Sequence, residues 1–142
     1  MRKVTHILQR KGANIISVEP GLPVLQALQL MADKNIGSVM VIANGEYLGV
    51  MTERDYARKV VLKGKASAET RVKDIMSTGL PRITPDHSIE TCMHLMSESN
   101  IRYLPVFDND RICGIISITD VVTETILSQK ETIEQLQNYI QS

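Results

Sequence analysis

The chain has 142 residues, 43% of them hydrophobic, and its 16 basic and 16 acidic side chains cancel. That length suits one ordinary domain or two small units sharing a core. The charge balance argues against electrostatic binding to duplex nucleic acid or a membrane surface, and no apolar run approaches the roughly 18 residues of a membrane span, so a cytoplasmic protein is expected.

The first segment carries Arg2, Lys3, Arg10 and Lys11 with no acid before Glu19. A mitochondrial transit peptide shares that composition. Val4, Ile7 and Leu8, however, repeat the spacing of Val72, Ile75 and Met76, so residues 4–9 are expected to form a short lead-in helix, ended by a loop over 11–14. A brief strand over 15–18 follows. Pro20, Gly21 and Pro23 punctuate the chain, and Val24, Ala27, Leu28 and Met31 then recur at helical spacing until Asn35 and Gly37. Two short apolar runs, 39–42 and 47–51, flank Asn44-Gly45, a strong hairpin signal. Thr52 opens a helix to about Leu62, and the polar stretch 63–67 links it to a second lead-in helix over 71–76.

The order then repeats: strand 82–84, helix 88–99, strand 104–107, turn 108–110, strand 112–117 and a helix from about Thr119. Each copy reads strand, helix, strand, strand, helix, which makes the fold class α/β in the mixed, α+β sense. Residues 1–66 are expected to hold the first unit, 67–124 the second, and 125–142 an amphipathic C-terminal helix. In that helix Ile126, Ile133 and Ile140 stand seven apart, with Leu136 three after Ile133. The spacing is that of a coiled coil, and it fits a helix laid back on its own domain as well as one gripping a second subunit.

The copies align without a gap at an offset of 65, which superposes Pro20 on Pro85, Met31 on Met96, Asn35 on Asn100, Gly49 on Gly114 and Asp55 on Asp120. Such a match marks a duplicated supersecondary unit. Its most informative stretch is 49–55, GVMTERD, which recurs over 114–120 as GIISITD. In each, a strand ends, a hydroxyl follows (Thr52, Ser117) and an aspartate comes three residues later (Asp55, Asp120). A capping box explains this locally. The same geometry also suits a ligand. Free N–H groups and a hydroxyl at a helix start favour phosphate, while a carboxylate one turn further in can accept bonds from the two hydroxyls of a ribose diol.

Taken together, the two glycine–x–x–Thr/Ser–x–x–Asp stretches, the Asn-Ile pair at 35–36 and 100–101, and the VKDIM stretch of 72–76 resemble a cystathionine-β-synthase (CBS) domain pair, or Bateman module, over about residues 4–122. The resemblance implies two tandem β-α-β-β-α CBS units packed through their sheets about a pseudo-twofold axis, with clefts between them for adenosine ligands: AMP foremost, with ADP, ATP, NAD and S-adenosylmethionine as further candidates. By position it assigns Asp55 and Asp120 to the ribose, and Thr52 and Ser117 to the phosphate side. The hydroxyl of the first strand falls on Ser17, and Arg82 takes its place in the second copy, a departure that would either add charge for a phosphate or close that cleft. The adenine walls fall on Ile16, Val18, Val39 and Met40 in one copy and on Ile83, Leu104, Pro105 and Val106 in the other, all of which also suit plain core packing.

Charge differs between the copies. Arg54 and Arg58 stand four apart on one face of the helix that the first motif opens, where the second copy has Thr119 and Thr123. A bound phosphate would draw on Arg54, Arg58, Lys59, Arg82 or Arg102, side chains that equally suit a solvated surface. His6, His87 and His94 lack metal-ligand spacing, and no P-loop, nucleophile elbow or flanking acid pair occurs. No catalytic residue, metal or required cofactor is therefore expected. Cys92 and Cys113 read as packed thiols on a helix face and in a strand, as suits a reducing compartment. The expected function is a non-enzymatic adenosine-ligand sensor, a homodimer acting on itself or on an unidentified effector protein. The alternative is a structural interaction module working through the C-terminal helix without a ligand.

Overall fold

Two lead-in helices with the same backbone bonds serve the two repeats, and each serves the copy it does not precede. The computed structural model describes residues 2–12 and 14–141. Ala13, in the loop expected over 11–14, lies outside these residues, as do Met1 and Ser142 at the ends of the expected segments. By contacts the chain forms two compact units, one holding Ile15–Leu80 and the other the described residues on either side of it.

In the first unit, β1 (Ser17–Val18) runs parallel to β2 (Ser38–Ala43), which pairs antiparallel with β3 (Glu46–Thr52). Asn44 and Gly45, at φ 53° and 78°, make the tight turn that an Asn-Gly pair favours. Helix α2 (Val24–Lys34) ends where Asn35 enters the left-handed region at φ 54°. Its Val24, Ala27 and Met31 form one face and join Val39, Val41 and Met51 from the sheet in a buried core. The helix expected over 52–62 is α3 (Glu53–Tyr56) running on as a π-helical turn over Ala57–Val61. Helix α4 (Val72–Ile75) is then bonded to the loop before α2, with Val72 N–H donating to Leu22 O at 2.9 Å and Lys73 N–H to Pro20 O at 2.9 Å.

The second unit repeats this with α1 (Val4–Lys11) in the place of α4. Val4 N–H donates to His87 O at 3.0 Å and Thr5 N–H to Pro85 O at 2.9 Å, the carbonyls 65 positions after Leu22 and Pro20. Val4 and Ile7 are buried with Ile83, Ile89, Cys92 and Met96, whereas Val72 and Ile75 are buried with the first repeat. Helix α5 (Ile89–Ser99) is capped by Ser88, whose hydroxyl accepts from Thr91 N–H, and ends on left-handed Asn100. Strands β4 (Tyr103–Asp108) and β5 (Arg111–Ser117) pair in the register of β2 and β3, including the irregularity: Val41 and Val106 oppose Gly49 and Gly114, and Leu48 and Cys113 are skipped. Helix α6 (Ile118–Gln141) is continuous for 24 residues.

The strand expected over 82–84 is a single bridge, Ile83 to Val106. The reason is one proline. In the first repeat Met40 N–H donates to Ile16 O at 3.3 Å; the residue 65 positions after Met40 is Pro105, which has no N–H to give. Ile83 keeps the bonds on either side, its N–H to Pro105 O and Phe107 N–H to its carbonyl.

The cysteines lie where the pattern puts them, Cys92 on the buried face of α5 and Cys113 in β5, and both are free. Burial pushes the Cys92 thiol up to about 11. It pushes the Cys113 thiol up as well, helped by the Asp108 carboxylate. Both therefore stay protonated at neutral pH and pack as small apolar groups. Among the described residues no helix is long and apolar enough to cross a membrane.

Candidate functional site

Each repeated motif is a strand end turned into a helix start by a reciprocal cap. In the first, extended Thr52 precedes α3. Its hydroxyl accepts from Asp55 N–H at 3.0 Å, while Asp55 Oδ2 accepts from Thr52 N–H and from the Thr52 hydroxyl, both at 3.0 Å. Asp55 Oδ1 accepts from the Ser77 hydroxyl at 2.8 Å and is paired with Lys59 Nζ at 3.0 Å. The lysine also donates to Ile75 O at 2.9 Å, tying the π-helical turn to α4. Asp55 is thus a buried carboxylate, 6% exposed, with donors on both oxygens.

In the second, Asp120 Oδ2 accepts from Ser117 N–H at 2.8 Å, and Asp120 N–H donates to the Ser117 hydroxyl at 3.1 Å. The cation here comes from α1: Lys11 Nζ lies 2.9 Å from Asp120 Oδ2 and 3.0 Å from Ile115 O. Position 124, which matches Lys59, holds a glutamate that is 1% exposed. Glu124 Oε1 accepts from Arg10 Nε at 2.9 Å and lies 2.8 Å from Arg10 Nη2, and its Oε2 is 3.7 Å from Arg2 Nη1. Arg2 is also paired with Glu131.

The structure thus joins Thr52, Asp55 and Lys59 in one cluster, and Ser117 with Asp120 in another. The remaining cations are dispersed. Arg58 and Arg102 are exposed, Arg54 is half-buried, and Arg82 stacks its guanidinium 4.2 Å from the Phe107 ring centroid. Ser17 is exposed in β1. Of the apolar wall positions, Val18, Val39, Ile83, Leu104 and Val106 are core residues and Ile16 packs against the first core. Met40 and Pro105 are buried outside both clusters, as strand alternation dictates for neighbours of Val39, Val41, Leu104 and Val106. Among the described residues no group of three His, Cys, Asp or Glu could hold a metal ion.

Ser77 and Lys11 are the two functional candidates that sequence reasoning missed. Lys11 lies 109 positions from Asp120, and a serine and a lysine at unrelated offsets leave no repeat signature. The nearest signal was the matched apolar spacing of the two lead-in helices, which marks them as equivalent elements without saying which copy each one joins.

What these features define is a tandem pair of small α/β modules, each with a hydroxyl-and-aspartate helix start. The chain belongs to the CBS domain family, which it matches over residues 4–62 and 72–126, and it is therefore a CBS pair, a class of typically regulatory, ligand-binding modules. It is 36% identical over 123 residues to the mitochondrial CBS domain-containing protein CBSX3 of Arabidopsis thaliana, covering 83% of this chain and 60% of that protein's length. It is 30% identical to the CBS domain-containing protein YhcV of Bacillus subtilis, over 81% of each. A solved Burkholderia ambifaria structure, of a candidate signal-transduction protein with CBS domains, superposes with a TM-score of 0.86 at 40% identity over 90% of this chain and 96% of that one.

Proposed function

We propose that this CBS pair is a non-enzymatic regulatory module whose effector is an adenosine-containing ligand, with AMP foremost and ADP, ATP, NAD and S-adenosylmethionine as alternatives. The observation that carries the reading is the duplicated cluster of carboxylate, cap hydroxyl and lysine ammonium at a helix start. A ribose 5-phosphate requires these groups: acceptors for the diol, and donors with positive charge for the phosphate. Asp55 and Asp120 are the carboxylates the two copies offer to a ribose, with Thr52 and Ser117 on the phosphate side. The similarity to the Burkholderia candidate signal-transduction protein supports a regulatory role, and the free thiols suit the cytoplasm. Signalling through such a module requires that the ligand bind one state of the protein more tightly than another.

A thermal-shift titration with AMP, ADP, ATP, NAD, S-adenosylmethionine and ribose 5-phosphate tests this, because a ligand of the folded state raises the melting temperature. The expected result is a rise confined to adenosine compounds and lost in the Asp55→Ala, Asp120→Ala double variant. No rise with any of them, in protein purified free of nucleotide, overturns the reading.

A second role rests on α6. Val122, Ile126, Ile133, Leu136 and Ile140 are spaced four, seven, three and four apart, and all are between 46% and 81% exposed. They are the alternating seam positions of a heptad, interrupted by Gln129. A polar residue in such a seam is left unpaired by an apolar groove but bonds to its own copy, so the occupant we propose is α6 of a second chain, in a homodimer. Ile133→Glu with Leu136→Glu should yield monomers in sedimentation at concentrations where the parent is dimeric; an unchanged mass sinks the assignment.

A further inference from the structure

We infer that the two repeats are unequal binding sites: the Asp120 copy takes the ligand, with Lys11 as its phosphate-side cation, and the Asp55 copy is plugged by Ser77. This rests on the adenosine reading above and adds which copy and which cation.

Equivalent space is filled differently in the two units. In the first, Ser77 is pinned to β3 by a pair of backbone bonds with Val50, Ser77 N–H to Val50 O at 2.8 Å and Val50 N–H to Ser77 O at 3.0 Å. The approach is close enough that a Cβ on Gly49 would stand 2.7 Å from Ser77 O. From this fixed position the serine hydroxyl fills Asp55 Oδ1 together with Lys59. A carboxylate has about four lone-pair sites, and the Thr52 N–H, the Thr52 hydroxyl, Ser77 and Lys59 supply four donors. A diol entering here must break bonds that the backbone holds in place.

In the second unit the carbonyl matching Val50 is that of Ile115, and its donor is the Lys11 ammonium. A backbone strand is thus replaced by a flexible side chain that is 37% exposed and needs only rotamer changes to move. Among the described residues the carboxylate's bonds all fall on Asp120 Oδ2, which leaves Oδ1 for a ribose hydroxyl. The side chain is 14% exposed, against 7% for Asp55. Position 124 cannot compete, because Glu124 is itself an acid and is turned to Arg10. Among the described residues Lys11 uses two of its three donors, on Asp120 and Ile115, which leaves a third for a phosphate oxygen beside the start of α6.

Calorimetric titration of the whole protein with AMP and with adenosine tests this. One AMP per chain is expected, with affinity lowered at least tenfold by Asp120→Ala. Lys11→Met should weaken AMP by a similar factor and leave adenosine, which has no phosphate, within about twofold. Two equivalent AMP molecules per chain, AMP affinity unchanged in Asp120→Ala, or equal weakening of AMP and adenosine by Lys11→Met each overturns the inference while leaving the adenosine reading intact. A parent protein that binds neither compound sinks both.

Discussion

Replacing Arg10 by alanine should destabilise the protein by about 3 kcal/mol, the low end of the range for breaking a buried ion pair from one side. Glu124 is 1% exposed, and Arg10 supplies the only hydrogen bond it accepts among the described residues; Oε2 has none. Without Arg10 the carboxylate keeps only Arg2, at 3.7 Å. That remaining charge holds the cost to the lower end. The reverse change should be milder. Glu124→Gln keeps the shape and an acceptor for Arg10, and the 38%-exposed arginine can still reach water, so about 1 kcal/mol is expected. Urea unfolding at neutral pH measures both, and Arg10→Ala should lower the melting point by roughly 10 °C. The double variant Arg10→Met, Glu124→Leu should recover most of the loss, because an apolar pair needs no partner charge. Equal costs for the two single changes would show that the carboxylate is not stranded in the way its burial implies.

The repeated glycines should prove equally unequal. A methyl group on Gly49 meets the backbone oxygen of Ser77 at 2.7 Å and the Met76 side chain at 3.3 Å. Relief requires parting the bridge between Val50 and Ser77, so Gly49→Ala should cost about 2–3 kcal/mol, in the range of overpacked cores. At Gly114 the nearest atom is Leu8 Cδ2, at 2.9 Å. That is the end of a side chain that can rotate away, so Gly114→Ala should cost less than about 1 kcal/mol. Urea unfolding of the two variants side by side is the check. A cost at Gly114 matching that at Gly49 would mean that α1 is held as tightly over β5 as the Ser77 segment is over β3. Because Ser77 also donates to Asp55, the Gly49 variant should loosen that cap as well.

The sequence by itself determined the duplication, the element order, the hairpin turns at Asn44 and Asn109, the helix ends at Asn35 and Asn100, and both hydroxyl–aspartate caps. All of these are local: a turn residue, a periodicity, or a bond between residues three apart, recorded twice at a constant offset. Even the shortened first strand of the second copy was legible in principle, since Pro105 at the place of Met40 removes a specific donor. Tertiary structure alone decided that the lead-in helices serve the opposite copies. Val4 and Ile7 have the same spacing as Val72 and Ile75, and an apolar face does not encode which of two similar grooves it fills. The same exchange brings Lys11 to Asp120 and Ser77 to Asp55, and so separates two motifs that read alike. Side chains of unrelated type were placed around equivalent carboxylates by long-range packing, and contacts at that separation leave no periodicity for a sequence to display.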